Sequence, residues 1–344
     1  MINQSFIIGV TGNIATGKSV IRRMLGNAGA LTIDADHVAH RVLYPGSSAY
    51  QAVIKNFGAQ ILLKNGSISN KLLGAIVFND PDRLEELESL VHPLVIDDII
   101  ARITQTNNPF VVVEAIKLLE SGLSKYCDSI WVSHASFNHQ LDRLQMTRGL
   151  SADEAKIRIN AQPPQSEKLN LADVVISTET TFKDTWIRIL KALSDTIIST
   201  KLDGLHINNL NGYSLASVAR FPASLLESAW QNFTSSSKAS LYERLGMSKV
   251  TALSTADQIQ TLIVSDEWNF TSALELVAPL TFWNKNPGLI INALTQQAKI
   301  NQSEVILIPR EFSFGFTDQL LAEGFTNQEI TQLVYPAWQQ AAQR

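Results

Sequence analysis

The sequence predicts an α/β protein with two domains, the first of them a doubly wound fold around a parallel sheet. Three observations lead to this prediction. The chain has 344 residues, which is more than a typical single domain contains. Across the first part of the chain, short apolar runs alternate with amphipathic helical patterns, as strands and crossover helices do. One run, PFVVVEA, is almost wholly apolar, which is typical of a strand buried on both faces of a parallel sheet.

The elements of the first domain follow one another in a regular order. Strands are predicted at FIIGV, ALTIDAD, PFVVVEA, DSIWVSHA and ADVVIST. Helices are predicted at SVIRRMLGNAG, DPDRLEELESLVHPLVIDDIIARITQ, SFNHQLDRLQMTRG, SADEAKIRINAQ and FKDTWIRILKALSDTII. Gly29 closes the first helix, Pro93 interrupts the second, and Ser151 has the capping-box spacing to Glu154.

A change of composition predicts the domain boundary. Gly, Asn and Ser accumulate in KLDGLHINNLNGYS, so we divide the chain into residues 1–200 and 201–344. The second, smaller α/β domain contains the apolar runs SKVTALS and IQTLIVSDEW and a strand at EVILIPRE. Helices are predicted there at GLIINALTQQAK, TDQLLAEGF and PAWQQAAQR, and TSSSKAS predicts a polar loop or a helix cap.

The composition argues against several classes of protein. The chain has 28 Lys and Arg residues against 32 Asp and Glu residues, a formal net charge of −4, so no strong attraction to nucleic acid is expected. The N-terminus lacks the basic region of a signal peptide, and no apolar run approaches the roughly 20 residues that cross a bilayer. The single cysteine, Cys127, can form neither an internal disulfide nor a zinc cluster. We therefore expect a soluble, cytoplasmic protein without a membrane partner.

The stretch GVTGNIATGKSV contains the phosphate-binding loop (P-loop) pattern G-x-x-x-x-G-K-[ST]. Gly12 and Gly17 let the backbone N–H groups converge on phosphate oxygens, and the following helix directs its N-terminal dipole at the same point. Lys18 would reach the β- and γ-phosphates, and the Ser19 hydroxyl is a hard ligand for Mg²⁺. The predicted ATP-binding residues are Gly12, Asn13, Ile14, Ala15, Thr16, Gly17, Lys18, Ser19 and Val20.

Two carboxylates, Asp34 and Asp36, follow the second predicted strand. Residues i and i+2 of a strand point to one face, and the carboxyl end of a parallel strand faces the ligand crevice. One carboxylate could accept the proton of an acceptor hydroxyl while the other holds a water molecule of Mg²⁺. The alternative is that both acids cap the next helix, which would start near His37. The spacing alone leaves both interpretations open.

Several motifs together resemble those of the dephospho-CoA kinase family. In chain order they are TGNIATGKS, IDADHVAHRV, YPGSSAY, GSISNKLLGAIVFNDPDRLEELESLVHP, LLESGL, DRLQMTRGLS, AQPPQSEK and ADVVI. The resemblance covers about residues 6 to 195. It implies a P-loop fold with helical lid and acceptor insertions. It also implies an enzyme that phosphorylates the ribose 3′-hydroxyl of dephospho-CoA, with ATP as the phosphoryl donor and Mg²⁺ as the cofactor.

The resemblance also implies roles for individual residues. Asp36 corresponds to the acid beside the acceptor, the general base. Thr11 corresponds to the threonine that precedes the loop, near the reacting phosphates. Arg143 and Arg148 fall in the lid helices, where the family places arginines over the phosphates. A solvated helix surface is the alternative for each arginine.

Further positions would bind the substrate or the metal. The segment from Gly46 to about His92 resembles the acceptor region, and His92 lies at a family position. His40 stands where the family has an arginine, and Arg41 is its neighbour. These residues, with Asp36, are the predicted substrate-binding set. The predicted Mg²⁺ ligands, held directly or through water, are Ser19, Asp34 and Glu114.

Besides His40, three further departures from the family pattern leave alternatives open. The loop carries Asn13, Ala15 and Thr16 where the family has Gly, Gly and Ser. The stretch EAIKLLE begins with Glu114, which still offers a carboxylate at the end of its strand. It also contains Lys117, at a position where the family usually has an apolar residue. The adenine-side VIDNSG is replaced by VISTET, residues 175–180. The alternatives are a kinase for another small alcohol, and a non-enzymatic nucleotide or CoA sensor.

The second domain resembles the later half of the acetyltransferase superfold, on the order GLIINALTQQAK, SEVILIPRE and FTDQLLAEGF. That fold holds a pyrophosphate on backbone N–H groups in a Gly-rich turn. The corresponding turn here is NKNPG, in which Pro287 has no N–H group to donate. We therefore expect a structural or dimerising role, with homo-oligomers formed through this domain, and keep an acetyl-CoA site as the alternative.

Overall fold

The computed structural model describes residues 5–47, 49–77, 80–196, 206–210, 213–233, 239–255, 258–268, 271–303, 305–309, 320–321, 326–328 and 332–336. Four sequence-based predictions fall wholly or mostly outside these residues. They are the boundary near residue 200, the loop TSSSKAS, and the helices TDQLLAEGF and PAWQQAAQR.

The first half of the chain is built on a sheet of five parallel strands. The strands are β1 Phe6–Thr11, β2 Leu31–Asp34, β3 Phe110–Glu114, β4 Ser129–His134 and β5 Val174–Ser177. Their spatial order is β2-β3-β1-β4-β5, and every neighbouring pair is parallel. All five strands were predicted from the apolar runs. The five residues of β3 are buried, as expected for a strand paired on both sides inside a covered parallel sheet.

Nine helices accompany this sheet in the described part of the first half. They are α1 Lys18–Asn27, α2 Ala35–Arg41, α3 Tyr50–Phe57, α4 Asn70–Val77, α5 Pro81–Gln105, α6 Phe137–Arg148, α7 Ala152–Asn160, α8 Gln165–Leu169 and α9 Phe182–Thr196. The helix α1 leaves the carboxyl end of β1, and α9 follows β5. The alternation of strand and helix therefore confirms the doubly wound class.

The long helix α5 differs from its prediction. Its start is as the sequence suggests, because the Asp80 carboxylate accepts hydrogen bonds from the backbone N–H groups of Asp82 and Arg83. Pro93 was expected to interrupt it, yet the helix continues over 25 residues with Pro93 inside. A proline removes one N–H donor from the helix. The helix continues nevertheless, because Val91 and Val95, on either side of Pro93, are buried and hold the two turns against the core.

The second half contains a larger, mixed sheet. Its strands are β6 His206–Leu210, β7 Tyr213–Ser217, β8 Lys249–Thr255, β9 Gln258–Trp268, β10 Thr271–Ala278, β11 Val305–Pro309, β12 Thr326–Gln328 and β13 Gln332–Pro336. Their order is β12-β13-β11-β10-β9-β8-β7-β6. The pair β10 and β11 is parallel, and the other described pairs are antiparallel. The helices are α10 Ala223–Phe233, α11 Leu241–Met247, α12 Leu280–Lys285 and α13 Pro287–Ile300.

Several elements of the second half were not predicted from the composition of the sequence. The segment KLDGLHINNLNGYS, interpreted as a boundary, contains β6 and the start of β7. The Asn-Gly pair that separates the two strands in the sequence is itself a hairpin signal. The strand β10 and the helix α10 were not predicted either. The predicted helix GLIINALTQQAK and strand EVILIPRE correspond to α13 and β11.

One apolar core is shared by the two halves. Its fully or almost fully buried members include, from the first half, Ile21, Met24, Leu25, Trp186 and Ile189, and, from the second, Leu226, Trp230, Leu241, Leu245 and Val250. A second cluster around Leu294 contains residues of the second half alone. Of the helices that the structure describes, none combines the length and the apolar character needed to cross a membrane.

Candidate active site

A cavity of about 550 Å³ lies where the P-loop meets α1, α2, α6 and the carboxyl ends of β3 and β5. Ten of the residues predicted for the site line it: Ile14, Ala15, Gly17, Lys18, Ser19, Val20, Asp36, Glu114, Arg143 and Arg148. Eight do not: Thr11, Gly12, Asn13, Thr16, Asp34, His40, Arg41 and His92. The cavity stands at the carboxyl edge of the parallel sheet, where ligands bind in this class of fold.

The P-loop has the backbone shape that phosphate binding requires. Gly12 and Gly17 have φ values of 147° and 93°. A Cβ atom on Gly12 would lie 2.2 Å from Ser133 Oγ, so no side chain fits there. Ala15 also has a positive φ, 58°, in a region that favours glycine. This alanine stands where the family pattern has a glycine. The backbone at position 15 is left-handed, and the Cβ atom of Ala15 makes that conformation sterically less favourable than it would be for glycine.

The loop is tied to its surroundings by side chains that face away from the cavity. Thr16 Oγ1 donates to the Asn13 carbonyl over 2.7 Å and lies 2.6 Å from Ser133 Oγ. Asn13 Nδ2 donates to the carbonyl of Pro163 over 2.7 Å. Thr11, fully buried, donates from Oγ1 to the Ile116 carbonyl. These residues position the loop and have no direct access to the cavity.

Lys18 is the cation inside the site. Its Nζ donates to the carbonyl of Asn13 over 3.1 Å, so the side chain folds back over the loop. Burial lowers the pKa of Lys18, and the charges of Lys168 and Arg148 lower it further, while Glu114 and Asp36 act in the opposite direction. A phosphate anion would relieve the desolvation of this ammonium group.

Ser19 and Glu114 form the oxygen pair that suits a magnesium ion. Ser19 Oγ donates to Glu114 Oε1 over 2.8 Å, and the other carboxylate oxygen accepts from Arg22 Nε over 2.6 Å. Mg²⁺ in nucleotide sites takes one or two protein oxygens and completes its octahedron with phosphates and water. The described residues contain no cluster of three or more acidic, His or Cys side chains able to hold a metal alone. The donor set therefore fits Mg²⁺ brought with a nucleotide.

Asp34 caps a helix. Its Oδ1 accepts hydrogen bonds from the backbone N–H groups of Asp36 and His37, and its Oδ2 pairs with Arg22 Nη2 at 3.4 Å. For Asp34 the capping alternative is thus the observed one. The strand argument for the two acids is wrong for Asp36, because β2 ends at Asp34 and Asp36 belongs to the first turn of α2.

Asp36 nevertheless reaches the cavity from that first helical turn. Burial by surrounding protein raises the pKa of Asp36, and the neighbouring charges of Asp34 and Glu114 raise it further, against Lys18 and His40. Asp36 is nevertheless an exposed residue, and solvent moderates this rise. A carboxyl group with a raised pKa is a better proton acceptor than an ordinary aspartate.

The two predicted lid arginines differ in their contacts. Arg143 Nη1 donates to the Ala15 carbonyl over 3.0 Å and to Thr178 Oγ1 over 2.9 Å, while Nη2 donates to the Thr178 carbonyl. Arg143 thus joins the P-loop to the segment after β5. Arg148, the last residue of α6, lines the cavity from an exposed position. Of the two arginines, Arg143 is engaged in hydrogen bonds to the protein, and Arg148 is the better placed to contact a bound phosphate.

Sequence reasoning missed one wall of the cavity. Thr178 and Thr180 line it from the segment after β5, and Phe182 and Thr185 line it from α9. The signal was present in VISTET, which ends a strand at the ligand edge of the sheet, but the departure from the family pattern hid it. Lys168 was also missed, and it lies nearly buried, with Nζ donating to the Ile116 carbonyl.

Of the predicted substrate-binding residues, the structure brings Asp36 into the cavity, but not His40, Arg41 or His92. His40 Nδ1 lies 3.1 Å from Asn70 Nδ2, which links α2 to α4. Arg41, at the end of α2, and His92, within α5, are half-buried. Their role in acceptor binding stays a prediction.

Comparisons with known proteins agree on the first half of the chain. The family model for dephospho-CoA kinase matches residues 6–184. A dephospho-CoA kinase of Carboxydothermus hydrogenoformans is 42% identical over 190 residues, which are 54% of this chain and 92% of that relative. A dephospho-CoA kinase of Geobacillus kaustophilus is 38% identical over 189 residues, 54% of this chain and 94% of that relative. Among solved structures, TT1252 from Thermus thermophilus is 28% identical with a TM-score of 0.52, covering 57% of this chain and 100% of that one.

Proposed function

This chain belongs to the dephospho-CoA kinase family, and from that premise we propose how its own residues perform the reaction. The chain is a kinase that transfers the γ-phosphoryl group of ATP to the ribose 3′-hydroxyl of dephospho-CoA and so completes coenzyme A synthesis. The observation that carries the mechanism is the meeting of Lys18, Ser19, Glu114 and Asp36 around one cavity.

The P-loop side of the cavity would hold the triphosphate. The backbone N–H groups between Gly12 and Ser19 point their dipoles at the phosphates, together with the N-terminus of α1. Lys18 releases the Asn13 carbonyl and pairs with the β- and γ-phosphates. Ser19 and Glu114 would hold Mg²⁺, which neutralises phosphate charge when bound. No predicted Mg²⁺ role is retained for Asp34, because its oxygens cap α2 and pair with Arg22.

The acceptor side would be controlled by Asp36. Its carboxylate orients the 3′-hydroxyl of dephospho-CoA toward the γ-phosphate and accepts the hydroxyl proton as the new P–O bond forms, while the bond from the γ-phosphorus to the β–γ bridging oxygen breaks and ADP leaves. Arg148 stabilises the negative charge that develops on the transferred group. Arg143 holds the P-loop and the segment after β5 together around the nucleotide. The acceptor itself would lie toward α2, α4 and α5, near His40, Arg41 and His92.

The second half of the chain, residues 201–344, is proposed to have a structural role as an α/β unit with its own sheet, packed on the first half through the shared core. The helix α13 starts with Pro287, and its N-cap Asn286 makes no side-chain capping hydrogen bond. A proline at the first helical position offers no N–H group to a pyrophosphate. Titration of the chain with acetyl-CoA is expected to show no binding at this unit, and sedimentation would show whether it forms homo-oligomers.

One assay tests the proposed activity. The full-length chain is incubated with Mg-ATP and dephospho-CoA, and the products are identified by mass spectrometry. We expect coenzyme A and ADP in equal amounts, and no product from Lys18→Ala. ATP binding without product would favour a nucleotide sensor. Faster phosphorylation of another alcohol would show that this alcohol, and not dephospho-CoA, is the acceptor. We propose a cytoplasmic location, which is supported by the sequence having only one cysteine and hence no internal disulfide.

A further inference from the structure

The helix α11, in the second half of the chain, packs directly against one wall of the nucleotide cavity. Gly246 is the contact residue. A Cβ atom on Gly246 would lie 2.6 Å from both Cδ1 and Cε1 of Phe182 and 3.4 Å from Val20 Cγ1. Phe182 and Val20 both line the cavity. The absence of a side chain at position 246 thus allows the Phe182 ring to stand where it does.

The second half also holds the far end of the P-loop helix. Asn27, the last residue of α1, is fully buried. Its Nδ2 donates to the carbonyls of Leu245 and Ser248 over 2.8 and 2.9 Å, and its Oδ1 accepts from the Val250 N–H over 2.7 Å. The side chain therefore uses both its amide nitrogen and its oxygen on backbone groups of α11, β8 and the turn between them.

The carbonyl groups at the end of α1 are capped from the same side. Lys249 Nζ donates to the Gly26 carbonyl, and Ser217 Oγ donates to the Asn27 carbonyl over 2.9 Å. Lys249 is almost completely buried. A cation at a helix C-terminus interacts favourably with the helix dipole. Since α1 begins with Lys18 and Ser19, these contacts fix the orientation of the helix that carries the phosphate ligands.

A third set of contacts fixes the start of α9, next to Phe182. Lys183 Nζ donates to Glu227 Oε1 over 2.9 Å, and Tyr242 donates from its hydroxyl to the same oxygen over 2.5 Å. Lys183 Nζ also lies 5.3 Å from the centre of the Tyr242 ring. Glu227 belongs to α10 and Tyr242 to α11, so two helices of the second half contact α9 beside the cavity wall.

We propose that α11 is a positioning element of the nucleotide site, and that Gly246 sets the place of Phe182 and thereby the affinity for the nucleotide. The second half then acts on the first through packing, without contributing a group to the reacting atoms. This inference rests on the proposed function only in taking the cavity as the ATP site.

The test compares two glycine substitutions in the second half. Gly246→Ala places a methyl group against Phe182, and the ring must move along the cavity wall. We expect the displaced ring to lower the affinity for the nucleotide by at least about fivefold. Gly288→Ala, in α13, is the matched control, since a Cβ atom there would meet nothing within 4 Å. Calorimetric titration with ADP, without dephospho-CoA, measures the affinity of each variant. The KM for ATP is expected to rise in Gly246→Ala, and the KM for dephospho-CoA to stay unchanged.

Two further measurements separate positioning from a general loss of stability. In a Phe182→Leu background, where the ring is absent, Gly246→Ala should weaken ADP binding much less than it does in the wild type. In the wild-type chain, ADP should slow amide hydrogen exchange in residues 241–250, because coupling between two sites is reciprocal. If Gly246→Ala does not fold, Glu227→Gln, which weakens the contact with Lys183 without adding volume, takes its place with the same expected change in ADP affinity.

Three results would overturn the inference. They are an unchanged ADP affinity in a folded Gly246→Ala chain, an equal loss in Gly288→Ala, and exchange in α11 that does not respond to ADP. Because ADP binding is measured without the acceptor, a chain that makes no coenzyme A but binds ADP would refute the proposed function and leave this test valid.

Discussion

At the scale of single residues, the chemistry depends on a few side chains that the chain places around one cavity. In the proposed mechanism, Lys18, Ser19 and Glu114 bind the phosphates and their metal ion, and Asp36 binds the acceptor hydroxyl. Asp34 caps α2 and so fixes the helical turn from which Asp36 projects.

Asp36→Asn is expected to lower kcat by about 10²–10⁴-fold, because an amide cannot accept the hydroxyl proton. The affinity for ATP should stay the same or increase slightly, since one negative charge beside the phosphates is removed. Coenzyme A formation gives kcat, and calorimetry gives the affinity. Asp142→Asn, an exposed acid of α6 outside the cavity, is the control and should keep full turnover. Normal turnover in Asp36→Asn would show that another group accepts the proton.

Cys127 is expected to be unreactive in the native chain. Its Sγ packs against Gly9, where a Cβ atom would lie only 2.7 Å from it, and burial raises the pKa of the thiol to about 12, with a contribution from Asp128. At pH 8 the thiolate fraction is then roughly 10⁻⁴, against about a quarter for an ordinary cysteine, so labelling should be roughly a thousandfold slower. A thiol-disulfide reagent measures the rate with and without denaturant. Rapid labelling of the folded chain would contradict this packing.

The sequence predicted the residues of the site where a local pattern identifies them. The P-loop pattern located Lys18 and Ser19, and the family motifs located Asp36. Arg143 was predicted at the phosphates, yet its guanidinium bridges Ala15 and Thr178. Those two partners are far from Arg143 in the sequence, and no local pattern contains such a contact.

At the scale of elements, the helices α6 and α7, the predicted lid, show how a capping box fixes the start of a helix. The Ser151 hydroxyl accepts from the Glu154 N–H, and the Glu154 carboxylate accepts in return from the Ser151 N–H. The two helices meet through Leu144, Ala155 and Ile159, a small cluster apart from the main cores. A lid with so little buried contact depends more than other elements on its caps.

Ser151→Ala should therefore lower the free energy of unfolding of α7 by about 0.5–2 kcal/mol. Hydrogen exchange in residues 152–160 measures this change locally. Ser136→Ala is the matched control, because Ser136 stands at the N-cap of α6 without a side-chain capping hydrogen bond. Equal effects of the two substitutions on their helices would show that the capping box of α7 has no special importance.

Element prediction succeeded where burial imposes a period on the sequence. The strands of the first sheet are short, apolar and separated by amphipathic helices, so each could be located. The second half was harder, because β6 and β7 carry Asn and Ser residues and have glycines beside them in the sequence, so that the stretch resembles a linker in composition. Their pairing with each other and with β8 makes them strands, and such pairing depends on tertiary context.

At the scale of the whole molecule, the two halves have separate sheets and a shared core. Leu245, fully buried in α11, contributes to the core that also contains Met24 and Trp186. The sequence predicted two units of the chain but gave no sign of this shared core. Contacts between α1 and α11 join residues more than 200 positions apart, and periodicity within either helix cannot identify its partner.

Leu245→Ala is expected to cost about 2–5 kcal/mol and to destabilise both halves together. Labelling of Cys127 in increasing urea reports unfolding of the first half, because the only cysteine lies there. Leu294→Ala is the same substitution in a cluster formed by the second half alone, and should affect Cys127 labelling less. An unchanged Cys127 midpoint in Leu245→Ala, with a destabilised second half, would show that the halves unfold independently.

The buried amide of Asn27 has a consequence for biosynthesis. The ribosome completes α1 long before it reaches Leu245, Ser248 and Val250, the partners of that side chain. At about 5–20 residues per second, the roughly 220 residues between them take on the order of 10–40 s to synthesise. During that interval the end of α1 and the apolar surface beside it stay open to water and to other chains. The nascent protein should therefore depend on chaperones until α11 and β8 have emerged.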